Sequence, residues 1–126
     1  MSKKRAFETR KMTMTIDSLS MDFPDEFPVT VVSVRGEENE YVASATIALE
    51  PGKDPHMYSL FVDPTYRRHK VASNVLDYIL EVVIPGHERL NFHVKTANIS
   101  GQSFYESYGA TKVMKTKDGA WWIIET

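Results

Sequence analysis

Leu60-Phe61-Val62-Asp63-Pro64-Thr65-Tyr66-Arg67-Arg68-His69-Lys70-Val71-Ala72 decides how this chain is read. An apolar strand enters a Pro-containing turn, and the turn enters a helix whose first residues are basic. No Ser, Thr, Asp or Asn lies between Tyr66 and Ala72 to cap that helix. Its first amide N–H groups therefore lack an obvious partner in the chain. Arg67, Arg68, His69 and Lys70 also stand at the positive end of the helix dipole, which is unfavourable unless an anion shares the place. The natural guest at such a helix start is a phosphate or pyrophosphate.

The flanking sequence turns this stretch into a β-α-β unit. In 70–84 the polar residues Lys70, Asn74, Asp77 and Glu81 recur along one narrow stripe, with Val71, Val75, Tyr78, Ile79 and Val82 opposite. That pattern predicts a mostly buried helix, stopped by Pro85-Gly86. Strands over Met57–Val62 and Leu90–Lys95 then lie parallel, joined by a right-handed crossover. Ligands of such units collect beyond the carboxyl ends of the strands, beside the helix N-terminus, where the basic run falls.

Upstream, Met12, Met14 and Ile16 alternate with threonines as a half-buried strand, and 17–28 reads as a loop or one short helical turn. Val29–Val34, Tyr41–Leu49 and Met57–Val62 follow, separated by turns at 36–40 and 51–55, as an antiparallel meander. Downstream, Asn98 is an N-cap for a short helix ending at Tyr108, with Gly109 after it. Thr111–Thr116 and Trp121–Glu125 flank Lys117-Asp118-Gly119, a hairpin signal. Trp121 and Trp122 point to opposite faces of their strand, one into the core and one towards a surface site.

Composition narrows the classes further. With 126 residues, 42% hydrophobic and 25% charged, the chain suits one globular domain over 1–126, with 1–10 as a mobile terminus. A net charge of −2 gives no general attraction to nucleic acid or an anionic membrane. The absence of cysteine excludes disulfides, thiolate metal sites and a Cys nucleophile, and no metal is implied. The apolar run Ala120–Ile124 is far too short to cross a bilayer. A cytoplasmic protein is the expectation, with an uncovered C-terminal strand able to pair with a second copy as a homodimer.

Two spaced motifs then resemble the GNAT family of N-acetyltransferases. Val62-Asp63-Pro64 followed by Arg67-x-x-Lys70-x-Ala72 is similar to that family's Val-x-Pro turn and Gln/Arg-x-x-Gly-x-Gly/Ala loop. Asn98-x-x-Gly101-x-x-Phe104-Tyr105-x-x-x-Gly109-Ala110 is similar to its Asn-x-x-Ala-x-x-(Leu/Phe)-Tyr-x-x-x-Gly-Phe. The resemblance implies a GNAT fold: a mixed, mostly antiparallel sheet of about six to seven strands, with a central β-α-β unit and two main helices. It implies acetyl-CoA as co-substrate and an amine, such as a protein amine, as acceptor. It further implies that main-chain groups of Leu60, Phe61 and Val62 pair with pantetheine, and that amides of Arg67, Arg68, His69, Lys70, Val71 and Ala72 hold the pyrophosphate. Asn98 would stand near the pantetheine and Tyr105 near the thioester sulfur.

The reaction can be reasoned from acidities alone. An acceptor amine attacks only when neutral, and a lysine amine titrates near 10.4, so a base or a dry pocket is needed. A phenol near 10 can donate to the departing thiolate, which suits Tyr105 as general acid. Imidazole titrates near 6.5 and could serve as base; the resemblance implies either His93 or His56 for that role, since family members carry candidate bases near both positions, with His93 preferred. Plainer roles compete: Tyr105 as packing with Phe104 and Tyr108, the histidines as sheet residues, and Asn98 as a cap alone. Three departures from the family pattern stand out. Lys70 replaces a glycine, Ala110 replaces Phe, and 17–28 is too short for the two helices usual there. Lys70 sustains an alternative reading, a GNAT-fold binding module without catalysis that acts on a protein partner.

Overall fold

The computed structural model describes residues 3–9, 12–22, 24, 26–87 and 89–126. Eight strands form one sheet: β1 Arg5–Glu8, β2 Thr13–Met21, β3 Val29–Arg35, β4 Tyr41–Ala48, β5 His56–Val62, β6 Arg89–Lys95, β7 Thr111–Lys115 and β8 Gly119–Glu125. Helix α1 (Val71–Tyr78) connects β5 to β6, and α2 (Ile99–Tyr108) connects β6 to β7. The spatial order is β1-β2-β3-β4-β5-β6-β8-β7, antiparallel throughout except for β5 and β6. This is the mixed sheet with two main helices that the sequence implies, one strand larger than expected.

The extra strand is β1. Arg5–Glu8, expected in a mobile terminus, pairs with Thr13–Ile16. Arg5 stacks on the Tyr78 ring and forms an ion pair with Glu81, while the Tyr78 hydroxyl donates to the Lys3 carbonyl. Met1, Ser2 and Arg10 lie outside the described residues. The first part of the expected loop at 17–28 is strand, because β2 runs on to Met21 against Val29–Val32. Phe23 and Asp25, also assigned to that loop, lie outside the described residues.

Alternation along β3 (Thr30, Val32 and Val34 buried, their neighbours half-buried) gives the sheet two unlike faces. One face carries Ile16, Val34 and Ala43 in one row and Met57, Phe92 and Trp122 in another. Both helices cover it. Tyr78 of α1 bonds Ser18 of β2, Tyr105 of α2 lies 4.4 Å from the Phe92 ring, and the Tyr108 hydroxyl donates to Asp77 at 2.6 Å. The opposite face carries Ser33 and Ser44, His56 and Asn91, His93 and Trp121, with no helix over it among the described residues.

Helix 70–84 is confirmed in place but not in winding. After Tyr78 it continues as a π-turn over Ile79–Val83, with Ile84 N–H reaching the Ile79 carbonyl at 2.9 Å. The widened turn keeps Ile79 and Ile84 both fully buried. At the β7–β8 hairpin, no residue from 116 to 119 has positive φ, so Asp118-Gly119 is not the left-handed turn that pair usually makes. Gly119 serves close packing instead: a Cβ there would lie 2.2 Å from the Val94 carbonyl oxygen. Among the described residues, no helix is long and apolar enough to cross a membrane.

β5 and β6 pair only at His56↔Asn91 and Met57↔Phe92. Beyond those two rungs β5 stays joined to β4 and β6 to β8, while the edges facing each other diverge. The sheet therefore forks at its centre, on the carboxyl side of the parallel pair.

Candidate active site

The loop at the mouth of the fork is built from strain and fixed local contacts. Asp63 accepts from Thr65 N–H at 3.0 Å and starts a single 3₁₀ turn over Pro64–Tyr66. Arg67 then folds back: its Nε donates to the Val62 carbonyl at 3.1 Å, and its guanidinium stacks over Phe61. Arg68 and Lys70 both adopt left-handed backbone, at φ 67° and 61°, which costs a residue with a Cβ about 1–2 kcal/mol. The second of these is the position where Gly would be free of strain. Lys70 is the N-cap of α1 and its side chain makes no capping bond. Among the described residues, nothing accepts from the N–H groups of residues 68–73. Six consecutive donors thus face outwards at a helix start flanked by cations, an arrangement suited to a phosphate chain.

The edge of β5 complements this loop. Asp63 N–H bonds the Val42 carbonyl at 2.8 Å, and antiparallel alternation then directs Phe61 to β4 as well. Main-chain groups of Leu60 and Val62 accordingly face the fork. Asn98 caps α2, its Oδ1 accepting from Gly101 N–H at 2.9 Å. A Cβ on Gly101 would lie 2.3 Å from the Asn98 side chain, so with a larger residue there the Asn98 side chain would have to shift.

Tyr105 reaches the fork from the helix-covered face. It is 8% exposed and packs against Phe92, the last residue of β6 paired with β5, with Phe104 and Trp122 nearby. Burial pushes its phenol up to about 12, which keeps it protonated throughout the physiological range. Its hydroxyl has no hydrogen-bond partner among the described residues. The phenol of Tyr108, by contrast, is raised by burial and by its bond to Asp77, and is fully engaged.

The two histidines stand on the bare face, on either side of the same rungs, and they differ. His93 Nε2 bonds Thr116 Oγ1 at 2.8 Å, with Asp118 Oδ1 at 3.8 Å. His56 instead bonds Asn91 Oδ1 through Nδ1 at 2.8 Å. A carboxamide oxygen only accepts, so Nδ1 carries the hydrogen and the Nε2 lone pair is free. His56 lines a cavity of about 750 Å³ with Phe27, Glu50, Asp54, Tyr58 and Trp121, while His93 lies outside it. Trp121 presents its ring between the two, 5.3 Å from His56 and 5.2 Å from His93.

The structure thus gathers Tyr105, His56 and His93 around one fork and sets residues 60–72 along its mouth. Sequence reasoning missed Asn91, Tyr58 and the Thr116–Asp118 brace. The register between β5 and β6 places Asn91 beside His56, and no local signal carries that register.

Comparison with known proteins agrees with the fold. The model of the acetyltransferase (GNAT) family matches residues 3–110. The GNAT domain of S. lividans PAT superposes with a TM-score of 0.81 at 12% identity, covering 98% of this chain and 97% of that one. An acetyltransferase from Thermus thermophilus gives 0.70 at 15% identity, over 81% of this chain and 66% of that one. The PaiA N-acetyltransferase of Thermoplasma acidophilum, solved in complex with coenzyme A, gives 0.69 at 13% identity, over 78% and 61%. The chain thus spans about three fifths of the length of that last protein. No curated protein matches the chain in sequence.

Proposed function

Because the chain belongs to the GNAT family of acetyltransferases, we propose that it moves an acetyl group from acetyl-CoA to a primary amine by direct attack. The observation that carries this reading is the fork after Met57↔Phe92, with Tyr105 on one side and His56 on the other. Free donors at 68–73 suit the pyrophosphate, and the open edge at Leu60 and Val62 suits the pantetheine amides, laid down like an added strand. The coenzyme A complex of the Thermoplasma relative supports the choice of donor.

The catalytic roles follow from protonation. His56 Nε2 takes a proton from the incoming ammonium and passes it to solvent. The freed nitrogen lone pair bonds the thioester carbonyl carbon, and the carbon–sulfur bond breaks. Tyr105 gives its proton to the departing sulfur, and the second proton shed by nitrogen as the amide forms restores the phenol. Its high pKa keeps that proton available at every working pH. His93, braced by Thr116, holds Trp121 and the hairpin rather than serving as the base.

Calorimetric titration with acetyl-CoA is the test, and no heat of binding at millimolar ligand would end the reading. One observation favours the rival, a binding module that has lost the reaction. Arg67 Nε occupies the Val62 carbonyl that the pantetheine would use. Under the rival reading Arg67→Ala leaves acetyl-CoA binding undetectable; under ours the side chain is displaced on binding.

A further inference from the structure

We infer that the acceptor is a lysine side chain presented on the surface of another protein. The inference rests on the acetyltransferase reading above and concerns the bare-face cavity. Aromatic side chains of Phe27, Tyr58 and Trp121 share that cavity with the free Nε2 of His56. Tyr58 and Trp121 both stand edge-on to His56, with ring centroids at 4.5 and 5.3 Å. Two aromatic walls beside a base suit an unbranched aliphatic stem that ends in a cation.

Charge excludes the main competitors. The two carboxylates lining the cavity are already matched, Glu50 by Lys53 at 3.4 Å and Asp54 by Arg89 at 3.9 Å. A polyamine or an aminoglycoside carries several cations and needs unmatched carboxylates, which this cavity does not offer. A peptide α-amine brings a peptide group within two bonds of the reacting nitrogen. That group would be pressed against the aromatic walls with few partners, at a desolvation cost that a lysine stem avoids.

Openness settles the size of the substrate. Pockets for small molecules enclose most of the ligand surface, but here Tyr58, which lines the cavity, is 61% exposed. Among the described residues no helix roofs this face, and β2 runs on to Met21. A protein acceptor supplies its own roof; a free amine would sit half in water.

The experiment compares three acceptors at saturating acetyl-CoA. They are an Nα-acetylated peptide with one lysine, a lysine-free peptide with a free N-terminus, and spermidine. The expected result is kcat/KM at least tenfold higher for the lysine peptide. Tyr58→Ser should raise its KM about tenfold with kcat nearly unchanged, while the acetyl-CoA Kd stays within twofold. Preference for spermidine or for the free N-terminus overturns the inference, as does an unmoved KM in Tyr58→Ser. If acetyl-CoA binds and no acceptor reacts, the inference falls while the donor site stands. If acetyl-CoA does not bind, the acetyltransferase reading falls and takes the inference with it.

Discussion

The two faces of the sheet solve opposite problems. On the covered face, burial by α1 and α2 removes water from Tyr105 and holds its proton on. On the bare face, His56 keeps a half-buried ring whose Nε2 is left open by the one hydrogen bond from Nδ1 to Asn91, as the proposed base requires. An acid needs a dry setting, and a base that must release its proton needs a wet one. The fork between β5 and β6 is the place where the two environments meet. A continuous sheet would separate them by a wall of hydrogen-bonded backbone.

That contrast breaks most visibly at the base. His56→Gln should lower kcat/KM about a thousandfold at neutral pH, in the middle of the range for loss of a general base. His93→Gln, whose side chain is committed to Thr116, should change it about threefold or less. Comparable losses in both variants, measured by steady-state kinetics with a lysine peptide, would erase the distinction between the histidines. Next in size is the acid. Tyr105→Phe keeps the packing and removes only an unpartnered hydroxyl, so kcat should fall about a hundredfold with melting temperature and acetyl-CoA Kd unchanged. The wild-type rate should rise through a single ionisation and show no descending limb below pH 10, since burial holds the phenol at about 12. A falling limb near pH 8 would assign the acid role elsewhere.

The same pKa has a stability consequence with a definite sign. The folded phenol binds its proton more tightly than the unfolded one, so stability is intact below pH 10 and declines as pH rises towards 12. Tyr105→Phe should lose less stability than wild type across that window, in denaturant titrations at matched pH. A further structural test is Gly119→Ala. Its Cβ would lie 2.2 Å from the Val94 carbonyl oxygen and 2.9 Å from Lys95 Cα, so backbone must move, at about 2 kcal/mol. Thermal or urea unfolding at wild-type stability would remove the role given to this glycine.

What the sequence made legible follows from how local each signal was. The basic run, the Val-x-Pro turn and the Asn98 cap are contiguous, so their placement at the fork could be foreseen from β-α-β geometry. Strand β1 could not: Arg5–Glu8 has two charged residues in four, and its partners begin only at Thr13. The difference in setting between His93 and His56 was likewise hidden. It depends on Thr116, twenty-three residues from His93, and on Asn91, thirty-five from His56. Tertiary contacts of that span leave no trace in periodicity. Trp121 and Trp122 show the reverse, since strict alternation on β8 sent one to the cavity and the other to the core.

The smallest expected effect is at Lys70, where strain and charge oppose each other. Its left-handed φ of 61° disfavours a side chain, so Lys70→Gly relieves backbone strain but loosens the unfolded chain. The net gain should be about 0.5–1 kcal/mol in unfolding free energy. Acetyl-CoA affinity should move the other way, falling about threefold, because an exposed ammonium beside the free amides at 68–73 adds only a modest attraction for phosphate. That loss should shrink as salt is raised from low to physiological strength. A gain in affinity instead would mean that the lysine obstructs the loop, and the contrast between an acid face and a base face would then describe a fold whose donor site has closed.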